Sequence, residues 1–153
     1  MEEQNNSNNM KNILFVCTGN TCRSPMAAAL MRRALDKRGR SDIIVESAGL
    51  AASGQSASEN AVAAMAELSV DISAHRSRPV TPELLRQADL IAVMSPSHAM
   101  AAVSMGADPS RIRVLDIPDP YGGNLALYRR TRDALERAAE ALADAIGKPA
   151  DPA

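Results

Sequence analysis

Aromatic residues are nearly missing from this sequence: they make up 2% of its 153 residues, and there is no Trp. Its core must therefore be assembled from Ala, Leu, Ile, Val and the 8 Met. Cysteine is as scarce. Two Cys cannot make a disulfide framework. No sign of charge dominates either. A formal net charge of -1 gives no electrostatic reason for nucleic-acid or membrane binding. No apolar run approaches the ~20 residues that a membrane span needs. The Asn-rich stretch from Met1 to Lys11 lacks the apolar centre of a secretory signal. These absences leave a cytoplasmic, globular protein, expected to be a monomer with no nucleic-acid or membrane partner.

What the chain does have is a regular alternation of apolar runs and amphipathic stretches, and 46% of its residues are hydrophobic. Four runs have the composition of buried strands: residues 12–17, 43–47, 90–94 and 111–117. Between them lie helical patterns. Ser24-Pro25 and Thr81-Pro82 look like helix caps followed by Pro at the first helical position. Further helices are expected over residues 59–68 and 97–105. Leu125, Tyr128, Leu135, Leu142 and Ile146 line one face of a long last helix, which Gly147 and Pro149 stop. Strands alternating with helices predict an α/β fold: a three-layer sandwich with a four-stranded parallel sheet in a single domain. The expected organisation is a disordered lead over residues 1–11, a domain over 12–147 and a tail over 148–153. Residues 50–57 are small and expected to be flexible. The Arg-rich stretches 76–78 and 129–132 are expected to be solvated faces.

The informative segment is Cys17-Thr-Gly-Asn-Thr-Cys-Arg-Ser24, in which a Cys and an Arg bracket five residues between a strand and a helix. Backbone N–H groups in such a loop point inward and cradle an anion, and the helix dipole adds to the attraction. Gly19 permits a positive φ or a close approach of the ligand. Arg23 offers a planar fork for two oxygens of a phosphoryl group. The same positive field favours a thiolate at Cys17, the form that acts as a nucleophile. Ser24 can donate a hydrogen bond to that thiolate. A thiolate attacking phosphorus needs an acid for the leaving group. Asp119, between Pro118 and Pro120 and just past a strand end, is the candidate. Asp116 is close in sequence, but strand geometry aims it elsewhere. No metal or cofactor is expected, because the loop dipoles and Arg23 supply the positive field. A catalytically silent phosphate-binding module would lack one of Cys17, Arg23 or Asp119, and all three are present.

These residues resemble a known family. Residues 17–26 look like the phosphate loop of low-molecular-weight protein-tyrosine phosphatases, and Asp119-Pro-Tyr-Gly-Gly123 resembles their general-acid loop. The resemblance runs over residues 12–146 and includes Glu46-Ser-Ala-Gly49 and His75-Arg-Ser-Arg78. It implies Cys17 as nucleophile, Arg23 as phosphate ligand and Asp119 as acid and then base. It also implies substrate contacts from Thr18, Gly19, Asn20, Thr21, Cys22, Ser24 and Tyr121. Ser47 and His75 would join Asn20 and Ser24 in a network holding the loop. The expected partners are phosphorylated proteins. Thr21 resembles the bacterial protein-arginine phosphatase subgroup, whereas tyrosine-specific members carry a bulky apolar residue there. Tyr121 leaves phosphotyrosine as the alternative substrate. Cys22 could capture an oxidised Cys17 as a disulfide, as the family resemblance implies, or serve only as a small buried support. Arsenate reductases of related fold relay disulfides through additional cysteines, and both thiols here lie within one loop.

Overall fold

The computed structural model describes residues 10–147. The sheet is built around β1 (Asn12–Cys17), whose residues 13–17 are all buried. Helices cover both faces of this strand, so its sequence is a continuous apolar run rather than an alternating one. The pleat still sorts its side chains. Ile13 and Phe15 pack with Met26, Leu30 and Leu135 on one face. Leu14 and Val16 pack with Val80, Leu85 and Ala102 on the other.

β2 (Ile44–Gly49), β3 (Leu90–Val93) and β4 (Ile112–Val114) complete a four-stranded parallel sheet ordered β2-β1-β3-β4. The chain leaves β1 toward β2 on one side and later returns to β3 on the other. The carboxyl end of β1 thus opens into the crevice where winding reverses, the place where open parallel sheets bind ligands. α1 (Arg23–Lys37), α2 (Glu59–Ala66) and α5 (Leu125–Ile146) contribute to one core, and α3 (Pro82–Gln87) and α4 (Pro96–Ser104) flank the other. Ser58, Thr81, Ser95 and Asn124 each accept a hydrogen bond from a backbone N–H in the first turn of the helix they precede. Gly147, at φ 83°, ends α5 in a conformation that favours glycine.

Several expected boundaries move. α1 begins at Arg23, and Ser24 does not cap it. The Ser24 hydroxyl is engaged by Cys17 and Asn20, and α1 has no side-chain cap. The fourth strand keeps only Ile112–Val114. A 3-10 turn at Pro109–Arg111 precedes it, and Asp116 at φ 59° bends the chain soon after. Residues 55 and 56 are tied down rather than loose. Gln55 and Ser77 exchange hydrogen bonds, and Ser56 bridges to Arg76. Nor is the 129–132 stretch a wholly solvated face. Arg132 is buried and donates to the Ala64 carbonyl and to Glu67. Hydrogen bonds from Arg129 and then Arg132 hold the Glu67 carboxyl down to about 2, fastening α2 to α5. At the expected lead, Met10 packs on the core and the Lys11 N–H donates to Asp89. Residues 1–9 of that lead, the tail 148–153 and Pro149 lie outside the described residues. Among the described residues, no helix is long and apolar enough to cross a membrane.

Gly49 joins the sheet to the loop after β1. It pairs in register with Cys17. A Cβ added there would lie 2.6 Å from the Thr18 carbonyl oxygen and 2.8 Å from the Asn20 nitrogen. Both obstacles are backbone, so they cannot rotate away. Gly49→Ala is therefore expected to lower stability by about 1–3 kcal/mol and to weaken binding of inorganic phosphate. Thermal unfolding and phosphate titration measure the two effects.

Candidate active site

The segment between β1 and α1 curls around the Cys17 thiol. Cys17 is buried, with Sγ 2.9 Å from the Ser24 hydroxyl and accepting from the Asn20 N–H at 3.2 Å. The sulfur thus sits at the open N-terminus of α1, among hydrogen-bond donors. The loop holds its shape because Asn20 takes φ 56°, a left-handed conformation that Asn tolerates better than most residues.

Asn20 is fully buried, and each of its polar groups is partnered. Its carboxamide donates to Ser24 Oγ at 2.7 Å and to Ser47 Oγ at 2.9 Å. Its Oδ1 accepts from the Arg78 N–H at 2.9 Å. Its carbonyl oxygen lies 2.7 Å from His75 Nε2, and since a carbonyl only accepts, that nitrogen carries the proton. Ser47 and His75 thus meet the loop through Asn20 and stand outside the pocket.

The pocket over the loop encloses about 310 Å³ and is lined by Cys17, Thr18, Gly19, Thr21, Cys22, Arg23, Gln55, Asp119 and Tyr121. Arg23 is buried, and its Nη1 donates to the Ile117 carbonyl at 2.8 Å. This bond ties the base of the anion loop to the segment carrying Asp119. It also leaves Nε and Nη2 of the guanidinium for an anion. Asp119 Oδ2 stands 3.7 Å from Arg23 Nη2, with its side chain half exposed at the mouth. Its Oδ1 accepts from the Tyr121 N–H at 3.0 Å, which turns the carboxylate toward the pocket. Tyr121 itself is 81% exposed. Asp116 is exposed and does not line the pocket. An anion-binding cup with a thiol at its floor and a carboxylate at its rim can transfer a phosphoryl group to sulfur and protonate what leaves. Among the described residues, no group of three or more His, Cys, Asp or Glu side chains is placed to hold a metal ion.

Cys22 is buried in the wall of the same cup. Its thiol contacts the Tyr128 hydroxyl at 3.3 Å and Ser58 Oγ at 3.5 Å. Burial, and next the contact with Cys22, push the Tyr128 phenol up to about 12. Four contributors were missed in the sequence. Tyr128 looks like an ordinary core position of α5. Ser58 precedes an acidic residue and carries only a cap signal. Gln55 sits among small residues with no signal at all. His98, whose Nε2 lies 2.9 Å from Thr18 Oγ1, is one helical residue in an unremarkable stretch.

Asn20→Ala would leave Ser47, Ser24 and the Arg78 N–H without their partner. The expected loss is about 2–4 kcal/mol in stability, with slower alkylation of Cys17 by iodoacetamide at neutral pH. Denaturant unfolding and alkylation rates check both.

The profile of the low molecular weight phosphotyrosine protein phosphatase family matches residues 12–151. The chain is 38% identical to a protein-arginine-phosphatase of Bacillus subtilis (strain 168), covering 89% of this chain and 97% of that one. It is 36% identical to a probable low molecular weight protein-tyrosine-phosphatase, EpsP, of Ralstonia nicotianae, over 86% of this chain and 93% of that one. A crystal structure of a YwlE mutant from Bacillus subtilis superposes with a TM-score of 0.84 at 37% identity, covering 89% of this chain and 98% of the other. With this match along nearly its whole length, and a thiol, an arginine and a carboxylate converging on one anion cup, the chain belongs to the low molecular weight phosphotyrosine protein phosphatase family, whose members are cysteine-dependent phosphatases.

Proposed function

We propose that this protein hydrolyses phosphoarginine on proteins through a phosphocysteine intermediate. The Cys17 thiolate attacks phosphorus and the P–N bond breaks. The Asp119 carboxylic acid gives its proton to the departing guanidine nitrogen. Loop N–H groups and Arg23 stabilise the equatorial oxygens, which is where most of the rate arises. Water then attacks the phosphocysteine, the Asp119 carboxylate takes its proton, and Ser24 steadies the thiolate as inorganic phosphate leaves.

The observation that carries the substrate is the wall of the pocket. Besides the catalytic groups it presents Thr18, Thr21 and Gln55, and its one aromatic, Tyr121, is mostly in solvent. A phenol ring binds best between apolar faces. A guanidine has N–H groups to satisfy, and small polar side chains suit it better. The similarity to protein-arginine-phosphatases points the same way. Phosphotyrosine is the second reading, favoured by the Tyr121 ring at the rim.

We also infer that Cys22 protects the nucleophile. Peroxide would convert the Cys17 thiolate to a sulfenic acid. The Cys22 sulfur would then attack it, forming a disulfide and releasing water. Cys22 lines the same pocket as Cys17, and its thiol is held there by the Tyr128 and Ser58 hydroxyls.

Hydrolysis of matched phosphoarginine and phosphotyrosine peptides tests the substrate. Wild type is expected to prefer phosphoarginine, and Thr21→Ile to shift preference toward phosphotyrosine. Cys17→Ser should abolish turnover of both, and Asp119→Asn should slow it about 100-fold or more. A wild-type preference for phosphotyrosine would overturn the phosphoarginine assignment. Mass spectrometry after mild peroxide should show a Cys17–Cys22 linkage, and its absence would refute the protective role.

A further inference from the structure

His98 lies in the first turn of α4, which packs on the face of the sheet opposite α1. It is 5% exposed, and its Nε2 is 2.9 Å from the Thr18 hydroxyl oxygen. Its other ring nitrogen, Nδ1, is the one buried side-chain nitrogen or oxygen among the described residues that has no hydrogen-bond partner. Burial, and next the positive charge of Arg23, hold the imidazole below its ordinary value, against an opposing pull from Asp119. The ring is therefore neutral at pH 7 and has a single N–H to place.

Two placements are possible. A proton on Nδ1 would bury an N–H with no acceptor. Nε2 would then accept from Thr18 and consume that hydroxyl's only hydrogen. A proton on Nε2 leaves at Nδ1 only an unused lone pair, and buried donors without acceptors are rarer than buried acceptors without donors. Nε2–H then donates to Thr18 Oγ1, and the Thr18 hydrogen is left free. No other side-chain partner holds it among the described residues. Thr18 lines the pocket beside Cys17 and Arg23, and its carbonyl accepts from the Ala51 N–H at 2.8 Å, which fixes the residue in place.

We propose that His98 is a positioning residue that turns the Thr18 hydroxyl hydrogen into the pocket as a donor to the bound phosphoryl group. A phosphoryl group presents only acceptors there, so a hydroxyl locked as donor discriminates for it. The inference rests on the phosphatase reading of the pocket but not on which phosphoresidue enters it.

Nitrogen-15 NMR of the full chain reads the tautomer directly. The chain has 2 His, and the His98 signals are identified by their loss in His98→Gln. Nε2 is expected to be protonated and Nδ1 bare. Thr18→Val should lower kcat/KM on both phosphopeptides, and weaken inhibition by phosphate, each by about 10-fold. His98→Asn, which cannot reach Thr18, should do the same. His98→Gln places an amide N–H near the Nε2 position and should recover most of the loss. Thr18→Val with His98→Asn should be no worse than Thr18→Val alone. A proton on Nδ1, or full kcat/KM in His98→Asn with an unchanged melting temperature, would overturn the proposal. Failure of the wild type to hydrolyse either peptide would instead refute the phosphatase reading beneath it.

Discussion

One carboxamide holds the site together. Asn20 is caught in a left-handed turn with its side chain fully buried, and it binds Ser24 at the start of α1, Ser47 in β2 and the backbone of Arg78. A loop that aims its N–H groups at an anion has aimed them at one another, and without substrate nothing offsets that repulsion. The Asn20 network supplies the restraint from behind. It acts together with Gly49, whose missing side chain lets the Thr18 and Asn20 backbone approach β2 within contact distance. The cup is therefore shaped before anything binds, so little reorganisation remains for the chemical step.

Arg23 extends that restraint to the opposite wall. Its donation to the Ile117 carbonyl makes one guanidinium both part of the pocket lining and a tether for the segment that carries Asp119. The acid is thus placed relative to the floor of the cup by a buried bond, although its own side chain is half exposed. A loop that had to find this position unaided would have to give up conformational freedom on every turnover.

The parts of this arrangement that were legible in the sequence are those with a local signature. A continuous apolar run bounded by glycine and polar residues gives β1, and Thr81-Pro82 gives the start of α3. The Cys17 to Arg23 spacing gives the cup. The signals failed where tertiary partners decide the outcome. Ser24 has the local look of a cap, yet its hydroxyl serves Cys17 and Asn20, and the helix starts two residues before the expected Pro25. The fourth strand is cut short at the sheet edge, where one neighbour rather than two holds it. Arg132 looks like part of a solvated run, but α2 buries it. Gln55 and His98 reach the site through pairings between residues more than twenty positions apart, and no window of sequence records them.

Thr21 is fixed and free at the same time. Its carbonyl accepts from the Ser58 N–H at 2.9 Å, which anchors the backbone, while its hydroxyl lies 3.7 Å from the neighbouring Cys22 sulfur and is tied to no other element among the described residues. The backbone that builds the anion cup and the side chain that lines the pocket therefore answer to different partners. Selection can exchange that side chain with little disturbance to the loop that performs the chemistry. A protein-arginine-phosphatase and a probable protein-tyrosine-phosphatase stand at nearly equal identity to this chain, 38% and 36%. In this architecture, one wall of the pocket can be re-clad while the cup beneath it keeps its shape.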